Sequence, residues 1–129
     1  MVLDASGAVE FVLNTAAGKR LAARLADESE DVHVPHLIDL EIAQVLRRYV
    51  HIGTLTERAG TLALGRWRDL DAERYSHEPF LARIWELRDN LTAYDAVYVA
   101  LAEALSTVLV TGDRKLVGSP RIRATIELM

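Results

Sequence analysis

The sequence predicts an α/β fold in which a short, mainly parallel central β-sheet is flanked by helices, within a single domain spanning residues 1–129. Two observations support this prediction. Short apolar segments rich in β-branched residues alternate with longer segments of helical periodicity, as in proteins built on parallel sheets. Continuous apolar runs such as TVLV at residues 107–110 also fit strands that are covered on both faces.

In the first half of the chain, each predicted element has its own sequence signal. An apolar strand opens the chain and ends abruptly at Asp4. A second short strand begins at residue 31 and is stopped by Pro35. Apolar residues at helical spacing and a closing Gly53 predict the helices, which cover residues 7–14, 17–28 and 37–53.

The second half follows the same alternation of helices and strands. Thr56 is suited to cap one helix, and Pro79 is suited to the first turn of the next. The β-branched run before Gly112 predicts a buried strand, and the tail is predicted to form an edge strand. The predicted helices cover residues 55–70, 79–90 and 92–105, and the predicted strands cover 72–77, 106–113 and 122–129.

The composition is that of a globular protein large enough to bury a core. Half of the 129 residues are hydrophobic and 26% are charged. Because the chain has no cysteine, disulfides, thiolate zinc sites and a cysteine nucleophile are excluded. No signal peptide or apolar run of transmembrane length is evident, so we expect a cytoplasmic protein without a membrane partner.

The charge balance argues against a protein that coats nucleic acids indiscriminately, because the formal net charge is −4. The cations are nevertheless unevenly divided, with 13 arginines and 2 lysines. The planar fork of arginine suits phosphate groups better than a lysine point charge does. Codon bias in a GC-rich genome explains the same excess equally well, so the arginines permit a nucleic-acid substrate without requiring one.

Three aspartates occupy positions where a parallel sheet places its functional groups. Asp4 and Asp113 each follow an apolar strand, and ligands of open α/β sheets bind at the carboxyl ends of the strands. Asp95 begins the helix that precedes the last buried strand. Thr92 and Asp95 also fit a helix N-terminal signature, so Asp95 has a simple capping interpretation as well.

Glu41 is a fourth acidic candidate because it lies within the apolar face of its helix. Its helical neighbours include Ile38 and Val45, and a glutamate among such residues needs a partner. One interpretation is a structural ion pair with an arginine such as Arg48 or Arg88. The other is a place in a shared acidic site.

If the four acids converge, their charges require compensation. Two like charges about 4 Å apart repel by roughly 4 kcal/mol at an effective dielectric constant of 20. Protonation or a divalent cation would relieve this repulsion, and oxygen ligands select Mg²⁺ or Mn²⁺ over zinc. Such a site suits the hydrolysis of phosphate esters, in which a metal ion activates water.

Four segments, taken in order, resemble PIN-domain ribonucleases, and most closely the VapC toxins of bacterial toxin–antitoxin modules. The segment LTAYDAVYVALAE followed by LVTGD is the most specific part, and the likeness extends over essentially the whole chain. The four segments are MVLDAS, LEIAQVL, NLTAYDAVYVALAEAL and LVTGDRKL.

The resemblance implies a PIN fold and an endoribonuclease that depends on Mg²⁺ or Mn²⁺ and cleaves structured RNA, such as transfer or ribosomal RNA. Cleavage of this kind inhibits translation and growth. The resemblance also implies a homodimer, a VapB-type antitoxin that covers the active-site groove, and binding of promoter DNA only through that antitoxin. The family's acidic quartet maps onto Asp4, Glu41, Asp95 and Asp113, with Ser6 and Thr111 in support.

For several other residues, the sequence evidence for a functional role is weaker. Arg114 and Lys115 follow Asp113 and could contact substrate phosphates, but a solvated loop is an equal alternative. Trp67 and Trp85 lie on amphipathic helices, where packing in the core or a dimer is favoured over base stacking. No helix aligns His33 and His36 as a metal pair. Four arginines could form a basic rim or simply solvated helix faces: Arg47, Arg48, Arg66 and Arg68.

Other protein classes fit the acids less well. A haloacid-dehalogenase-type phosphatase would need a second acid where this chain has Ser6. A receiver domain would place its phosphate-accepting aspartate after a middle strand, and DVHVP offers none. The remaining alternative is a non-catalytic protein-interaction module whose acids serve as helix caps and ion pairs.

Overall fold

The structure is a computed structural model that describes residues 1–26 and 30–129. Strands and helices alternate along it as the sequence predicts. The strands are β1 (Val2–Leu3), β2 (His33–Pro35), β3 (Glu73–Tyr75), β4 (Leu109–Thr111) and β5 (Ile126–Leu128). The helices are α1 (Ala5–Leu13), α2 (Ala16–Leu25), α3 (Ile38–His51), α4 (Glu57–Asp69), α5 (Leu81–Glu86) and α6 (Ala93–Ala104), with 3₁₀ turns at Glu78–Phe80 and Arg114–Leu116.

The five strands form one sheet in the order β3-β2-β1-β4-β5, and every pairing is parallel. The prediction of an α/β fold around a parallel sheet is therefore confirmed, as is the tail's place at an edge. β1 lies in the centre, with Val2 paired to His33 on one side and to Leu109 on the other. This order places the carboxyl ends of β1 and β4 next to each other.

Helix α6 provides the largest buried surface that faces the sheet. Seven consecutive residues of it, from Ala96 to Ala102, are buried, and α6 contacts β1, β2 and β4. The other helices pair with sequence neighbours, α1 with α2 and α3 with α4, while α5 packs on α6. The alanines of α6 let its backbone approach the strands closely, so the start of α6 is held near their carboxyl ends.

Two polar networks fix the helices that surround the sheet. Asp39 in the first turn of α3 accepts hydrogen bonds from Trp67 Nε1 at 2.6 Å and from the guanidinium of Arg74, joining α3 to α4 and β3. Glu103 near the end of α6 accepts hydrogen bonds from Arg83 Nε at 2.7 Å and from the Arg123 amide at 2.8 Å. The second network joins α5, α6 and the segment before β5.

Several element boundaries differ from the predicted ones for local reasons. Helix α1 begins at Ala5 rather than residue 7, because Asp4 itself is the N-cap and accepts the Gly7 amide. The predicted helix 79–90 is a 3₁₀ turn followed by the short α5, and turns continue from residue 87 to the Thr92 cap of α6. The predicted end of α2 at residue 28 lies outside the described residues.

Other boundaries are close to the prediction. Thr56 caps α4 and accepts the Ala59 amide, and α3 ends at His51 before Gly53, whose φ of +77° suits a residue without a side chain. The regular strands are shorter than the predicted runs, with two residues in β1 and three in each of the others, because neighbouring strands pair only over these positions. Among the described residues, no helix has both the length and the apolar character needed to cross a membrane.

Candidate active site

Asp4 lies at the junction between β1 and α1, and its carboxylate is held by three donors. Oδ1 accepts the Gly7 amide at 2.8 Å and the Ser6 hydroxyl at 2.7 Å. Oδ2 accepts the Thr111 hydroxyl. Only 7% of the residue is exposed. Burial raises the pKa of Asp4, and these hydrogen bonds offset only part of that increase.

The end of β4 is tied to the same aspartate through two hydroxyl groups. Thr111, which is fully buried, donates to Asp4 and accepts the Asp113 amide at 2.9 Å. The Ser6 hydroxyl accepts the Gly112 amide at 2.7 Å. These contacts cross between β1 and β4, so the ends of the two central strands form one rigid unit. Asp113 lies at its rim and accepts the Lys115 amide.

Asp95 is presented by the first turn of α6. Thr92 is the N-cap, and its hydroxyl accepts the Asp95 amide at 3.1 Å and donates to Asp95 Oδ2 at 2.7 Å. The capping interpretation of the sequence is therefore correct for Thr92. The rest of α6 is buried against the sheet. The Asp95 side chain, in the first turn, therefore lies near the carboxyl ends of the strands.

Glu41 projects from α3 into the same region and is half-buried. Its Oε2 accepts the hydroxyl of Tyr98 in α6. Burial raises the pKa of Glu41, the Tyr98 hydrogen bond opposes this, and the negative charges of Asp95 and Asp4 raise it further. Within the described part of the chain, Glu41 forms no ion pair with Arg48, Arg88 or another cation, so the ion-pair interpretation is not supported.

Asp4, Glu41 and Asp95 thus lie close enough to influence one another electrostatically, and Thr111 connects Asp113 to them. Each of these three carboxylates accepts a hydrogen bond from at least one neutral hydroxyl group. Over residues 1–26 and 30–129, no salt bridge involves any of the four acids. The site therefore retains a net negative charge that the protein itself does not cancel.

The donor set fits a hard divalent cation in its chemistry. All the donors are oxygens, and the residual negative charge favours Mg²⁺ or Mn²⁺ over softer metals. As they stand, however, no three acidic or histidine side chains of the described residues are already arranged to hold a metal ion. Binding would therefore require the carboxylates to turn toward a common point.

The remaining candidate residues from the sequence differ in how exposed they are. Arg114 and Lys115 are exposed in the 3₁₀ turn after Asp113. Trp67 is only 2% exposed and belongs to the core, as expected, whereas Trp85 is 69% exposed with the Arg88 guanidinium 5.0 Å from its ring centroid. Of the two expected alternatives, Trp85 therefore does not pack in the core, and its packing in a dimer stays a prediction.

The histidines and the four arginines on helices show ordinary contacts or none. His33 Nδ1 is 3.1 Å from the Tyr75 hydroxyl, and His36 is exposed. Arg66 donates to the Val12 carbonyl at 2.9 Å. The other three arginines have exposed side chains on helix surfaces, and they are Arg47, Arg48 and Arg68.

Two residues that the sequence analysis did not select contribute to the site. Tyr98 bonds Glu41, and Asp39 anchors the helix that carries it. A signal for Tyr98 was present, because its hydroxyl lies in an otherwise apolar run and a buried tyrosine hydroxyl needs a partner. Asp39 gave no comparable signal, since its partners lie 28 and 35 positions away.

A cavity of about 880 Å³ lies at the other edge of the sheet, near the amino-terminal ends of β2 and β3. Its lining includes Val32, Asp71 and Glu73 but none of the predicted site residues. Cavity size therefore does not identify the acidic site.

Comparisons with known proteins show the family to which the chain belongs. A family model described as the PIN domain matches residues 1–118. The chain is 47% identical over 116 residues to the VapC ribonuclease Mb0985 of Mycobacterium bovis, covering 90% of this chain and 87% of the relative. It is 38% identical over 129 residues to the ribonuclease VapC12 of Mycobacterium tuberculosis, covering 100% of this chain and 98% of the relative.

A solved structure shares the fold. The structure of PAE2754 from Pyrobaculum aerophilum aligns with a TM-score of 0.72 and covers 97% of this chain and 81% of that chain. The sequence identity between them is 22%, so this likeness concerns the fold alone.

Proposed function

This chain belongs to the PIN-domain family, within its VapC branch of toxin nucleases, and we propose that it is a divalent-metal-dependent endoribonuclease. The proposed cofactor is Mg²⁺ or Mn²⁺, and the proposed metal ligands and catalytic residues are Asp4, Glu41, Asp95 and Asp113. The relatives named ribonucleases support the substrate class, and the oxygen-only donor set supports the choice of metal.

One observation carries the proposal: three half-buried or buried carboxylates lie together, and no cationic side chain among residues 1–26 and 30–129 forms a salt bridge with them. Helix capping accounts for Asp4, which accepts the Gly7 amide at the start of α1. At the start of α6 the N-cap is Thr92, and the Asp95 carboxylate accepts the Thr92 hydroxyl. Capping does not account for Glu41, which lies in the first turn of α3 but whose carboxylate accepts the Tyr98 hydroxyl rather than a backbone amide. Burial raises the pKa of Glu41, and the charges of Asp95 and Asp4 raise it further. A bound divalent cation would convert this repulsion into attraction.

The chain's own residues have distinct parts in the proposed reaction. Ser6 and Thr111 hold the Asp4 carboxylate, and Thr92 holds that of Asp95. Glu41 or Asp95 would accept a proton from the attacking water, whose oxygen bonds to phosphorus as the P–O bond to the leaving sugar oxygen breaks. The divalent ion would supply charge stabilisation at the phosphate.

The proposed substrate is a structured RNA such as transfer or ribosomal RNA, whose cleavage would inhibit translation and growth. Arg114 and Lys115 are placed to contact substrate phosphates, because they are exposed and directly follow Asp113. Recognition of one RNA would then depend on the shape and charge of the surface around the acids.

The proposed partners are those of a toxin–antitoxin module. A VapB-type antitoxin would neutralise the enzyme by covering the acidic groove, and promoter DNA would be bound only through that antitoxin. We also propose a homodimer. The exposed Trp85 and Leu81, which are one helical turn apart on α5, are consistent with a contact between copies of the chain.

The test incubates purified protein, freed of any copurified antitoxin, with total RNA in Mg²⁺, in Mn²⁺ and in chelator, beside an Asp95→Asn variant. We expect cleavage that needs the metal and falls at least a hundredfold in the variant, whose amide keeps the volume but not the charge. Cleavage in chelator, or equal cleavage by both proteins, would contradict the mechanism.

The alternative is a non-catalytic interaction module whose acids are structural. The caps formed by Asp4 and Asp113 and the hydrogen bond from Thr92 to Asp95 favour it. Glu41, which forms no ion pair with any residue that the structure describes, opposes it. On this alternative Asp95→Ala would leave RNA and metal behaviour unchanged and lower stability by about 0.5–2 kcal/mol. Absence of cleavage under every condition, with antitoxin excluded, would support this alternative.

A further inference from the structure

Tyr98 is a buried tyrosine, and its hydroxyl is bonded to the acidic site. The residue is 3% exposed, and its hydroxyl donates to Glu41 Oε2 across 57 positions of sequence. The charges of Glu41, Asp4 and Asp95 all act on this phenol and, together with burial, raise its pKa far above the ordinary value.

Glu41 depends on this contact more than the other acids depend on theirs. Asp4 has three donors and a short side chain, and Asp95 is held by Thr92 in its own helical turn. Glu41 has a longer side chain with more rotatable bonds, and Tyr98 supplies the hydrogen bond that holds its carboxylate within the described structure. The charges of Asp4 and Asp95 push this carboxylate away from the site.

A cationic partner would oppose that repulsion but would also cancel the charge that the site requires. A hydroxyl donor avoids this, because it satisfies one carboxylate oxygen and leaves the negative charge in place. The same chemistry recurs at Asp4 with Thr111 and at Asp95 with Thr92. The consistent use of neutral donors indicates a site organised to remain anionic.

We propose that Tyr98 is a positioning residue that holds the Glu41 carboxylate beside Asp4 and Asp95, ready to ligate the divalent cation. This inference rests on the proposed metal-dependent nuclease function. Tyr98 acts through Glu41 and does not itself contact RNA or the metal. Its role is that of the outer-shell groups that orient ligands in metalloenzymes.

The test compares wild type with Tyr98→Phe, which removes the hydroxyl and keeps the ring. Mn²⁺ binding is measured by electron paramagnetic resonance on folded protein, and RNA cleavage is measured in parallel. We expect roughly 10- to 100-fold weaker Mn²⁺ binding and a lower kcat, with KM for RNA within about twofold of wild type. A purely structural role would lower the thermal midpoint and leave the Mn²⁺ affinity of the folded protein unchanged.

Tyr75→Phe is the matched control. It also removes a hydrogen-bonded hydroxyl, which lies 3.1 Å from His33 Nδ1, and the charges acting on that phenol are those of Glu73 and Asp31 rather than the site acids. We expect its Mn²⁺ affinity and kcat to match wild type. Equal losses in the two variants would overturn the proposal.

A double-mutant cycle separates action through Glu41 from a general effect. In a Glu41→Gln background, Tyr98→Phe should weaken Mn²⁺ binding by less than about twofold further, because the group that it positions has lost its charge. A full additional loss in this background would show that Tyr98 does not act through Glu41.

A measurement on wild type keeps the proposal testable if Tyr98→Phe does not fold. Saturating Mg²⁺ should change the tyrosine absorption spectrum as the charge on Glu41 is engaged, and Glu41→Gln should abolish the change. No spectral change in a protein that binds Mn²⁺ would overturn the role of Tyr98. Failure of wild type itself to bind Mn²⁺ would instead contradict the proposed function.

Discussion

Glu41 and Glu103 have opposite electrostatic effects on the stability of the fold, because their neighbours differ. Burial and the charges of Asp95 and Asp4 raise the pKa of Glu41, although the Tyr98 hydrogen bond opposes this. Burial also raises the pKa of Glu103, but the hydrogen bonds from Arg83 and Arg123 outweigh it, so this pKa lies below its ordinary value. Ionised Glu41 therefore costs stability, whereas ionised Glu103 contributes stability.

We predict that Glu41→Gln stabilises the metal-free protein at pH 7. The folded state holds the Glu41 proton more tightly than the unfolded state, so the ionised carboxylate destabilises the fold above its raised pKa. This penalty disappears as the pH falls below the ordinary glutamate value, and the advantage of the variant should disappear with it. Urea unfolding at pH 7 and pH 4 measures the difference.

Glu103→Gln is the matched control, with the opposite sign. It should lower the free energy of unfolding at pH 7 by about 1.5–3 kcal/mol, because charged hydrogen bonds to Arg83 are lost. The deficit should shrink as the pH falls through the depressed pKa of wild-type Glu103. A Glu41→Gln variant that is less stable than wild type at pH 7 would contradict this account of the site.

Thr92 combines a helix cap with a contact to a site acid, and a second capping threonine separates the two roles. Thr92→Ala and Thr56→Ala each remove an N-cap hydroxyl, and each should lower stability by about 0.5–2 kcal/mol. Only Thr92→Ala should also slow RNA cleavage, by roughly tenfold, because Asp95 loses the donor that orients it. Comparable cleavage rates in both variants would show that the orientation of Asp95 is independent of Thr92.

At the scale of elements, a glycine sets the distance between the first two helices. A Cβ atom at Gly18 of α2 would lie 1.9 Å from the Glu10 carbonyl oxygen of α1, and neither backbone can move away cheaply. Gly65 in α4 has the opposite environment, because a Cβ atom there would meet nothing within 4 Å. Replacing glycine by alanine should therefore have opposite effects on the free energy of unfolding at Gly18 and Gly65.

We predict that Gly18→Ala lowers the free energy of unfolding by at least about 2 kcal/mol, since the helices must separate. Gly65→Ala should raise it by roughly 0.5–1 kcal/mol, because alanine has the higher helix propensity. Denaturant unfolding of both variants measures the two effects. A tolerated Gly18→Ala would show that α1 and α2 are not packed as closely as described.

The elements also show what can be predicted from the sequence. Helical periodicity, capping threonines and apolar runs predict each helix and strand because these signals are local. Periodicity did not predict that α5 covers only Leu81–Glu86 and is preceded by a 3₁₀ turn. The strand-end acids were predictable from topology, but the partner of Glu41 was not, because Tyr98 reaches it only through the packing of α6 beside α3.

At the scale of the whole molecule, a cation that binds only the folded state must stabilise it. We predict that Mg²⁺ at about a hundred times its dissociation constant adds roughly 2.7 kcal/mol and raises the thermal midpoint by about 10 °C. Chelator should reverse the shift. The measurement is thermal unfolding in MgCl₂ against NaCl of equal ionic strength.

Asp95→Asn combined with Glu41→Gln is the control for this stabilisation. It removes two carboxylates from the site, and its thermal midpoint should respond equally to the two salts. The same midpoint shift in wild type and in this control would mean that Mg²⁺ acts elsewhere on the chain.

The order of the strands also determines at what stage of synthesis the acidic site can form. β1 occupies the middle of the sheet, but its second partner, β4, comes more than one hundred residues later in the chain. A ribosome extending this chain therefore releases Asp4 long before Thr111, the residue that secures it. Until β4 emerges, one edge of β1 stays open and the acids cannot assemble. The acidic site can therefore be completed only after most of the chain has been synthesised.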